Sequence, residues 1–229
     1  SSSLETVQRL TDMAVEVRYP GVEADIDDAQ EAVSSAQEIR TLVRAALGLK
    51  DNTIGLARGV VHLALYDERW AVLYEEERAR LLAAVGEHIL DIQHVGSTAI
   101  PGCLAKPILD IAIAVANYEA AFVCVAPIAR LGYEYAGENG IPRRHYFVKR
   151  NPAAETTHHV HINELGSLAW ENSILFRDYL RAHPEAVAEY AALKRLLAER
   201  HPADRAAYTD AKGESVEKIL RLARKPQTF

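Results

Sequence analysis

Apolar residues recur every three to four positions at the start of the chain. In LETVQRLTDMAVEVRY, Leu4, Val7, Leu10, Ala14 and Val17 make one apolar helical face, and Pro20-Gly21 stops it. A second stripe, Ala29, Val33, Ala36, Ile39, Val43 and Leu47, predicts another helix, capped by Asp27 or Asp28 and ended by Gly48. Two such amphipathic helices need a partner to cover them. The polar, glycine-containing stretch KDNTIGLARG, 50–59, reads as the boundary between this helical segment (1–50) and a second domain (58–229).

Beyond the boundary the pattern changes to alternating strands and helices, which argues an α/β or α+β domain. VVHLAL (60–65) predicts a strand, and Trp70 to Val85 a helix with Leu73, Glu77, Leu81 and Val85 at helical spacing. HILDIQHV (88–95) and PILDIAIAV (107–115) predict two strands flanking a Gly-Ser turn. A helix is expected over 118–132, bent or broken near Pro127. Two further strands fall at 144–149 and 158–163, and the tail from Ser167 reads as three helical pieces punctuated by Pro184 and Pro202.

Composition narrows the class. Hydrophobic residues at 49% and charged residues at 25% are values of a soluble globular protein. The longest apolar runs, such as IAIAVA at 111–116, fall far short of the roughly 20 residues that span a bilayer. SSSLETVQRL lacks the basic start and apolar stretch of a signal peptide, so a cytoplasmic location is expected. Cys103 and Cys124 are too few for a disulfide framework and suit a reducing compartment as packed, inert thiols. A net charge of −6 attracts neither nucleic acid nor an anionic membrane globally, so phosphate binding must be local.

The candidate chemistry begins in HVGSTAIPGCLAKPILDIAIAV (94–115). Gly96, Ser97 and Thr98 follow a strand and read either as a nest of backbone N–H groups and hydroxyls that holds phosphate or as an ordinary turn. Asp110, flanked by Ile108, Leu109, Ile111 and Ile113, places a carboxylate at the edge of a core, where it needs a cation or donors: a metal, Lys106 or an arginine. Arg143, Arg144, Lys149 and Arg150 form the densest positive cluster. Alternation puts Arg144, Tyr146 and Val148 on one face of their strand, and Arg143, His145 and Phe147 on the other. The cluster reads as a phosphate or carboxylate site or as a solvated basic edge.

These segments resemble a known family. HVGSTAIPGCLAKPILDI is similar to the signature of the GrpB family, a branch of the nucleotidyltransferase fold, with YDERW (66–70) and FRDYLRAHPEAVAEYAALK (176–194) matching the family pattern on either side. The resemblance spans roughly 58–225. It implies an α+β fold: a nucleotidyltransferase-like mixed sheet with flanking helices and a helical C-terminal part, here preceded by the short N-terminal helical segment. In working nucleotidyltransferases the Gly-Ser turn holds a nucleotide triphosphate, while a D-x-D pair and a third carboxylate bind two metal ions. Gly96 and Ser97 match the turn and Asp110 the first carboxylate; the second position is Ala112. One carboxylate cannot hold two Mg²⁺ ions.

The later strand offers His159 and His161, two apart and so on one face, with His145 on the neighbouring strand. Asp110 with His159 and His161 reads as a single-metal site for Zn²⁺, Fe²⁺ or Mn²⁺, or the histidines as a metal-free acid/base or hydrogen-bonding cluster. In the motif after it, Arg177 and Arg181 share a helical face, and Tyr190 and Lys194 repeat the spacing; Arg177 and Lys194 are the candidate ligand contacts, Asp178 and Tyr190 structural ones. Arg18, Tyr19 and Pro20 with the helix after them resemble the C-terminal half of a HEPN domain without its nuclease motif, which implies an interaction or homodimerisation segment.

The expected function is binding of a nucleotide or phosphorylated small molecule and transfer of a nucleotidyl group to a small acceptor. Lys106, Asp110, His159 and His161 would carry the chemistry with Mg²⁺, Mn²⁺ or Zn²⁺. Gly96, Ser97, Thr98, Arg143, Arg144, His145, Arg177 and Lys194 would hold the ligand. The rival is a nucleotide-binding or protein-interaction module whose catalytic set has decayed.

Overall fold

A computed structural model of the chain describes residues 54–225, which lie in a compact unit beginning at Thr53. The predicted N-terminal helices, with the HEPN-like and dimerisation roles expected of them, lie outside the described residues. The elements in order are α1 (Arg69–Val85), β1 (Asp91–Val95), β2 (Leu109–Val115), α2 (Phe122–Arg130), β3 (Tyr133–Tyr135), β4 (His145–Arg150), β5 (Thr156–Glu164), α3 (Leu168–Ala182), α4 (Pro184–Arg200), α5 (Arg205–Asp210) and α6 (Gly213–Ala223). Among the described residues no helix is long and apolar enough to cross a membrane.

The five strands form one mixed sheet in the order β1-β2-β5-β4-β3. Only β2 and β5 run parallel; the other pairs are antiparallel. This is the α+β mixed sheet with flanking helices and a helical C-terminal part expected above. Because alternate residues of a strand face opposite sides, each strand feeds two different layers. Ile92, Leu109, Ile111, Ile113, Phe147, Val160 and Ile162 point to one side and pack with Trp70, Leu81 and Val85 of α1 and Cys124 and Ile128 of α2 in the main core. On the other side Val95, Ala112 and Ala114 pack against Trp170 of α3. Alanines there let the helix approach closely. The remainder of that second face, toward β5 and β4, carries the polar residues Asp110, His159, His161 and Tyr146.

The structure departs from the sequence pattern in four places. Residues 60–65 do not form a strand: Ala64 makes one isolated bridge with Ala105, while Val61 packs on Leu197 and Tyr208 and donates its N–H to the Pro202 carbonyl at 3.0 Å. Two apolar positions that alternate like a strand are instead clamped to the C-terminal helices. Pro127 does not break α2; the N–H it lacks would have paired with the carbonyl of Val123, whose side chain is half exposed, so water can serve that carbonyl. The short edge strand β3 was not expected. The tail forms four helices, with Pro184 at the first position of α4, where its missing N–H has no helical partner to lose, and Asp204 capping α5 by accepting from the Ala207 N–H at 3.0 Å.

One charged group lies inside the main core. Glu77 is 2% exposed and accepts from Lys149 Nζ at 2.8 Å and from the Tyr133 hydroxyl at 2.9 Å. Burial raises its pKa, but the bonds from Lys149 and Tyr133 outweigh it and hold the carboxyl below its ordinary value. The network ties α1 to β3 and β4.

Candidate functional site

The site is built around the turn between β1 and β2. Gly96 has φ 70° and ψ −172°, a combination open in practice only to glycine, and Ser97–Ala99 follow as one 3₁₀ turn. A Cβ on Gly96 would lie 2.6 Å from Asp110 Oδ2, so the backbone of the turn and the carboxylate of β2 are in direct contact. Two arginines, four apart on α3, grip the turn from outside. Arg177 Nη1 donates to the His94 carbonyl at 2.9 Å and to Gln93 Oε1 at 2.8 Å, and Arg181 Nε donates to the Ala99 carbonyl at 2.8 Å. Arg177 therefore braces the turn and does not join the Asp110 cluster. Thr98 is likewise turned inward, its buried hydroxyl bonded to His94 Nε2 at 3.0 Å. Ser97 Oγ accepts from Lys194 Nζ at 3.1 Å, a buried amine that also donates to Cys103 Sγ at 3.2 Å and to the Leu104 carbonyl.

Register brings the next group together. Asp110 pairs with His159 across β2 and β5, and His161 with Tyr146 across β5 and β4. His159 Nδ1 lies 2.9 Å from Asp110 Oδ1, and His161 Nε2 lies 3.5 Å from the same oxygen. The Tyr146 ring sits 5.4 and 5.1 Å from the two imidazoles, with the Arg144 guanidinium 4.8 Å above it. Desolvation raises the Asp110 pKa, but hydrogen bonds and charge from His159 and His161 more than offset this and hold the carboxyl well below its usual range. Desolvation lowers the pKa of His159, opposed by Asp110. One donor atom from each of Asp110, His159 and His161 lies within 4.8 Å of the others, which makes this trio a candidate metal cluster.

Not all of the expected basic cluster reaches the cleft. Arg143 reaches over the end of the sheet to Glu119 and Glu164. Lys149 is spent on Glu77 and Arg150 on Glu134. His145 lies on the opposite face of the sheet, fully buried, between the Tyr135 hydroxyl at 2.9 Å and the Tyr118 carbonyl at 3.0 Å. The parity of the strand decides this: Arg144 and Tyr146 face Asp110, whereas His145 and Phe147 face the other side. Arg144 alone of these arginines contacts the Asp110 cluster.

Two further cations, Arg205 and Lys212, carry no motif in the sequence yet act electrostatically on Lys106 or its neighbours. The pKa of Lys106 is pushed down to about 8 by desolvation and the charges of Arg205 and Lys194, against the pull of Asp110. That of Lys212 is pushed down to about 7 by desolvation and by Lys106 and Lys194, again with Asp110 opposing. Desolvation lowers Lys194 as well. Lys106 and Lys212 place their Nζ atoms 5.4 and 4.5 Å from the Tyr208 ring centroid. Arg205 and Lys212 come from α5 and its junction with α6, where isolated basic residues in a helical tail carry no pattern that separates them from solvated charge. Lys106, expected to balance Asp110, feels that carboxylate's charge and lies by the Tyr208 ring.

A Gly-Ser turn after the first strand, a carboxylate on the second and imidazoles on its parallel neighbour thus meet at one end of the sheet. The chain belongs to the GrpB family, whose model, described as GrpB protein, matches residues 60–222. It is 43% identical over 176 residues to the UPF0157 protein YqkA of Bacillus subtilis, covering 76% of this chain and 51% of that protein. It is 35% identical over 170 residues to the glutamate-rich protein GrpB of Alkalihalophilus pseudofirmus, covering 73% and 98%. The crystal structure of the conserved protein GrpB from Enterococcus faecalis is similar with a TM-score of 0.66 at 34% identity, over 71% of this chain and 96% of that one. The chain thus spans about half the length of YqkA and nearly all of the two GrpB proteins.

Proposed function

We propose that this domain binds a nucleotide or other phosphorylated small molecule, with its phosphates between the Gly96–Ser97 turn and Lys106, Lys194, Arg205 and Lys212, and transfers a nucleotidyl group to a small acceptor beside Asp110. The observation that carries the proposal is the Gly96–Ser97 turn set directly against the Asp110 carboxylate, whose charge Lys106 and Lys212 both feel. Like charges crowded in a partly desolvated cleft destabilise the ligand-free protein, and a polyanion relieves that repulsion. The lysines and the turn amides would hold the phosphates and neutralise charge that builds on them during transfer.

The two-metal arrangement of working nucleotidyltransferases does not fit. Ala112, at the second carboxylate position, is 0% exposed and lies in the cluster with Trp170, so the space for a second acidic ligand is filled. One ion of the Mn²⁺ or Zn²⁺ type fits the donor set, with Asp110, His159 and His161 holding it. Such an ion would supply Lewis-acid polarisation of a phosphoryl oxygen. A second reading is favoured by the 2.9 Å contact between His159 and Asp110. Asp110 fixes Nδ1 as the protonated nitrogen and leaves Nε2 as a base for the acceptor's hydroxyl proton, the ordinary logic of a carboxylate–imidazole pair.

Calorimetric titration with ATP, GTP, CTP, UTP and pyrophosphate, each with and without Mg²⁺, Mn²⁺ or Zn²⁺, tests the proposal. Binding of at least one nucleotide is expected, weakened in Lys106→Met and Lys212→Met. A folded protein that binds nothing in the panel would overturn it.

A further inference from the structure

We propose that the cavity along the free edge of β1, between α1 and α3, is a second binding site, which holds a small organic carboxylate on Arg177 and Arg181. Among the described residues β1 ends the sheet on this side. The cavity has a volume of about 490 Å³ and is walled by residues of α1, β1 and α3, room enough for a small molecule. It shares no residue with Asp110, His159 and His161 or with the lysines near them.

Both arginines keep donors in reserve. Arg177 spends Nε on Asp178 at 2.7 Å and Nη1 on Gln93 and the His94 carbonyl, while its Nη2 has no partner among the described residues. The residue is only 7% exposed, yet no buried side-chain nitrogen or oxygen there lacks a partner, so Nη2 is an accessible atom of a side chain that lines the cavity. Arg181 bonds through Nε alone, to the Ala99 carbonyl. Its two Nη groups meet no carboxylate among the described residues. Desolvation and the charge of Arg177 lower the Arg181 pKa, with Asp178 opposing. An anion across the two guanidinium groups relieves that crowding, and a planar fork matches a carboxylate through two parallel hydrogen bonds.

The rest of the wall narrows the ligand. Asp91 begins β1, at the other end of the strand from the turn that Arg181 holds, and Glu75, loosely paired with Arg78 at 3.6 Å, faces in from α1. These acids repel a polyphosphate or a second anionic end, so the ligand has one anionic head and a neutral or cationic remainder. A peptide strand does not fit. The Ile92 carbonyl accepts from the Tyr74 hydroxyl at 3.1 Å, the His94 carbonyl from Arg177, and the Ile92 N–H donates to Asp91 Oδ1 at 2.7 Å. The edge has thus spent groups that strand addition needs. The Tyr74 and His94 rings, stacked with centroids 4.7 Å apart, give the ligand's carbon skeleton an aromatic surface.

Side-chain ¹⁵N NMR of the histidine-labelled whole chain tests this, because His94 lines the cavity whereas His159 and His161 flank Asp110. Burial lowers the His94 pKa to about 4, with Arg181 and Arg177 adding and Asp110 opposing, so near neutral pH its ring reports ligand and not titration. Butyrate or γ-aminobutyrate should move the His94 resonances saturably and leave those of His159 and His161 in place. Arg181→Gln should weaken this binding at least about tenfold, since it removes the fork, whereas Lys212→Met should leave it unchanged. Thermal unfolding confirms that each variant is folded; should the glutamine variant not fold, Arg181→Lys, which keeps the charge without the fork, should show the loss. Succinate and inorganic phosphate should bind there more weakly than butyrate. No saturable change at His94, or a change confined to His159 and His161, overturns the site. Affinity unchanged in the folded Arg181 variant overturns the role of the fork, and tighter binding of succinate or phosphate than of butyrate overturns the ligand class.

Discussion

Replacing Gly96 by alanine probes the contact on which the site is built. The backbone at φ 70° and ψ −172° is a region that costs a residue with a Cβ about 1–3 kcal/mol. The new methyl would also stand 2.6 Å from Asp110 Oδ2 and 3.1 Å from Asp110 Cβ, so the carboxylate must rotate off His159 or the turn must shift. At about 2–4 °C per kcal/mol for a domain of this size, backbone strain alone lowers the unfolding temperature by about 2–12 °C. Gly102→Ala is the control: its φ is 72°, but a Cβ there meets nothing within 4 Å, so it carries strain without the clash. Differential scanning calorimetry reads stability, and nucleotide titration reads the site. The expectation is a larger loss of stability in Gly96→Ala than in Gly102→Ala, with ligand affinity reduced at least about tenfold, equivalent to 1.4 kcal/mol, in Gly96→Ala only. Equal stability and unchanged binding in the two variants would refute the claim that the turn and Asp110 form one constrained unit.

Other variants separate the two faces of the sheet and the sign of the lysine effects. Lys212→Met should raise the unfolding temperature of the ligand-free protein, because it removes a desolvated cation repelled by Lys106 and Lys194, while weakening pyrophosphate binding; a destabilised variant with intact binding would refute this. Since Lys106 and Lys212 have pKa values lowered to about 8 and about 7, the unfolded chain binds more protons than the folded one above about pH 7, and the ligand-free protein gains stability as pH rises through that range. Anions prefer the protonated lysines, so their binding should tighten as pH falls from about 9 to about 7, with proton uptake detectable by calorimetry in buffers of different ionisation enthalpy; proton release would contradict it. Glu77→Gln should cost about 3 kcal/mol in urea denaturation by leaving the Lys149 charge without its partner in the core, and a loss below about 0.5 kcal/mol would mean that solvent already screens the pair. His145→Phe should cost about 1–3 kcal/mol through the stranded Tyr135 and Tyr118 groups, yet leave nucleotide affinity unchanged, because the sheet lies between it and Asp110.

Much of this arrangement was legible in the sequence because it is local. The turn and the carboxylate lie within one stretch of about twenty residues, the two histidines are two apart on one strand, and alternation alone separates Arg144 from His145. What was not legible depends on pairing between distant segments. The apolar alternation at 60–65 satisfies itself on Leu197 and Tyr208, which no reading of six residues reveals. Arg177 matched the motif as a ligand contact, but its partners are the carbonyl of His94 and the side chain of Gln93, so it supports the turn from outside. Arg205 and Lys212 become site residues only because the C-terminal helices bring them to Lys106. Ala112 looked like a missing ligand; its packing against Trp170 makes it part of the contact between β2 and α3.

The central claim is that the turn and the cationic wall receive the phosphates of a ligand beside Asp110. A crystal structure of the protein with a non-hydrolysable nucleoside triphosphate and Mn²⁺ tests it most directly. The expected result is phosphate oxygens within hydrogen-bonding distance of Ser97 and of at least two of Lys106, Lys194, Arg205 and Lys212, with the α-phosphate nearest Asp110. Phosphates bound elsewhere on the domain, with this wall contacting only solvent, would contradict it.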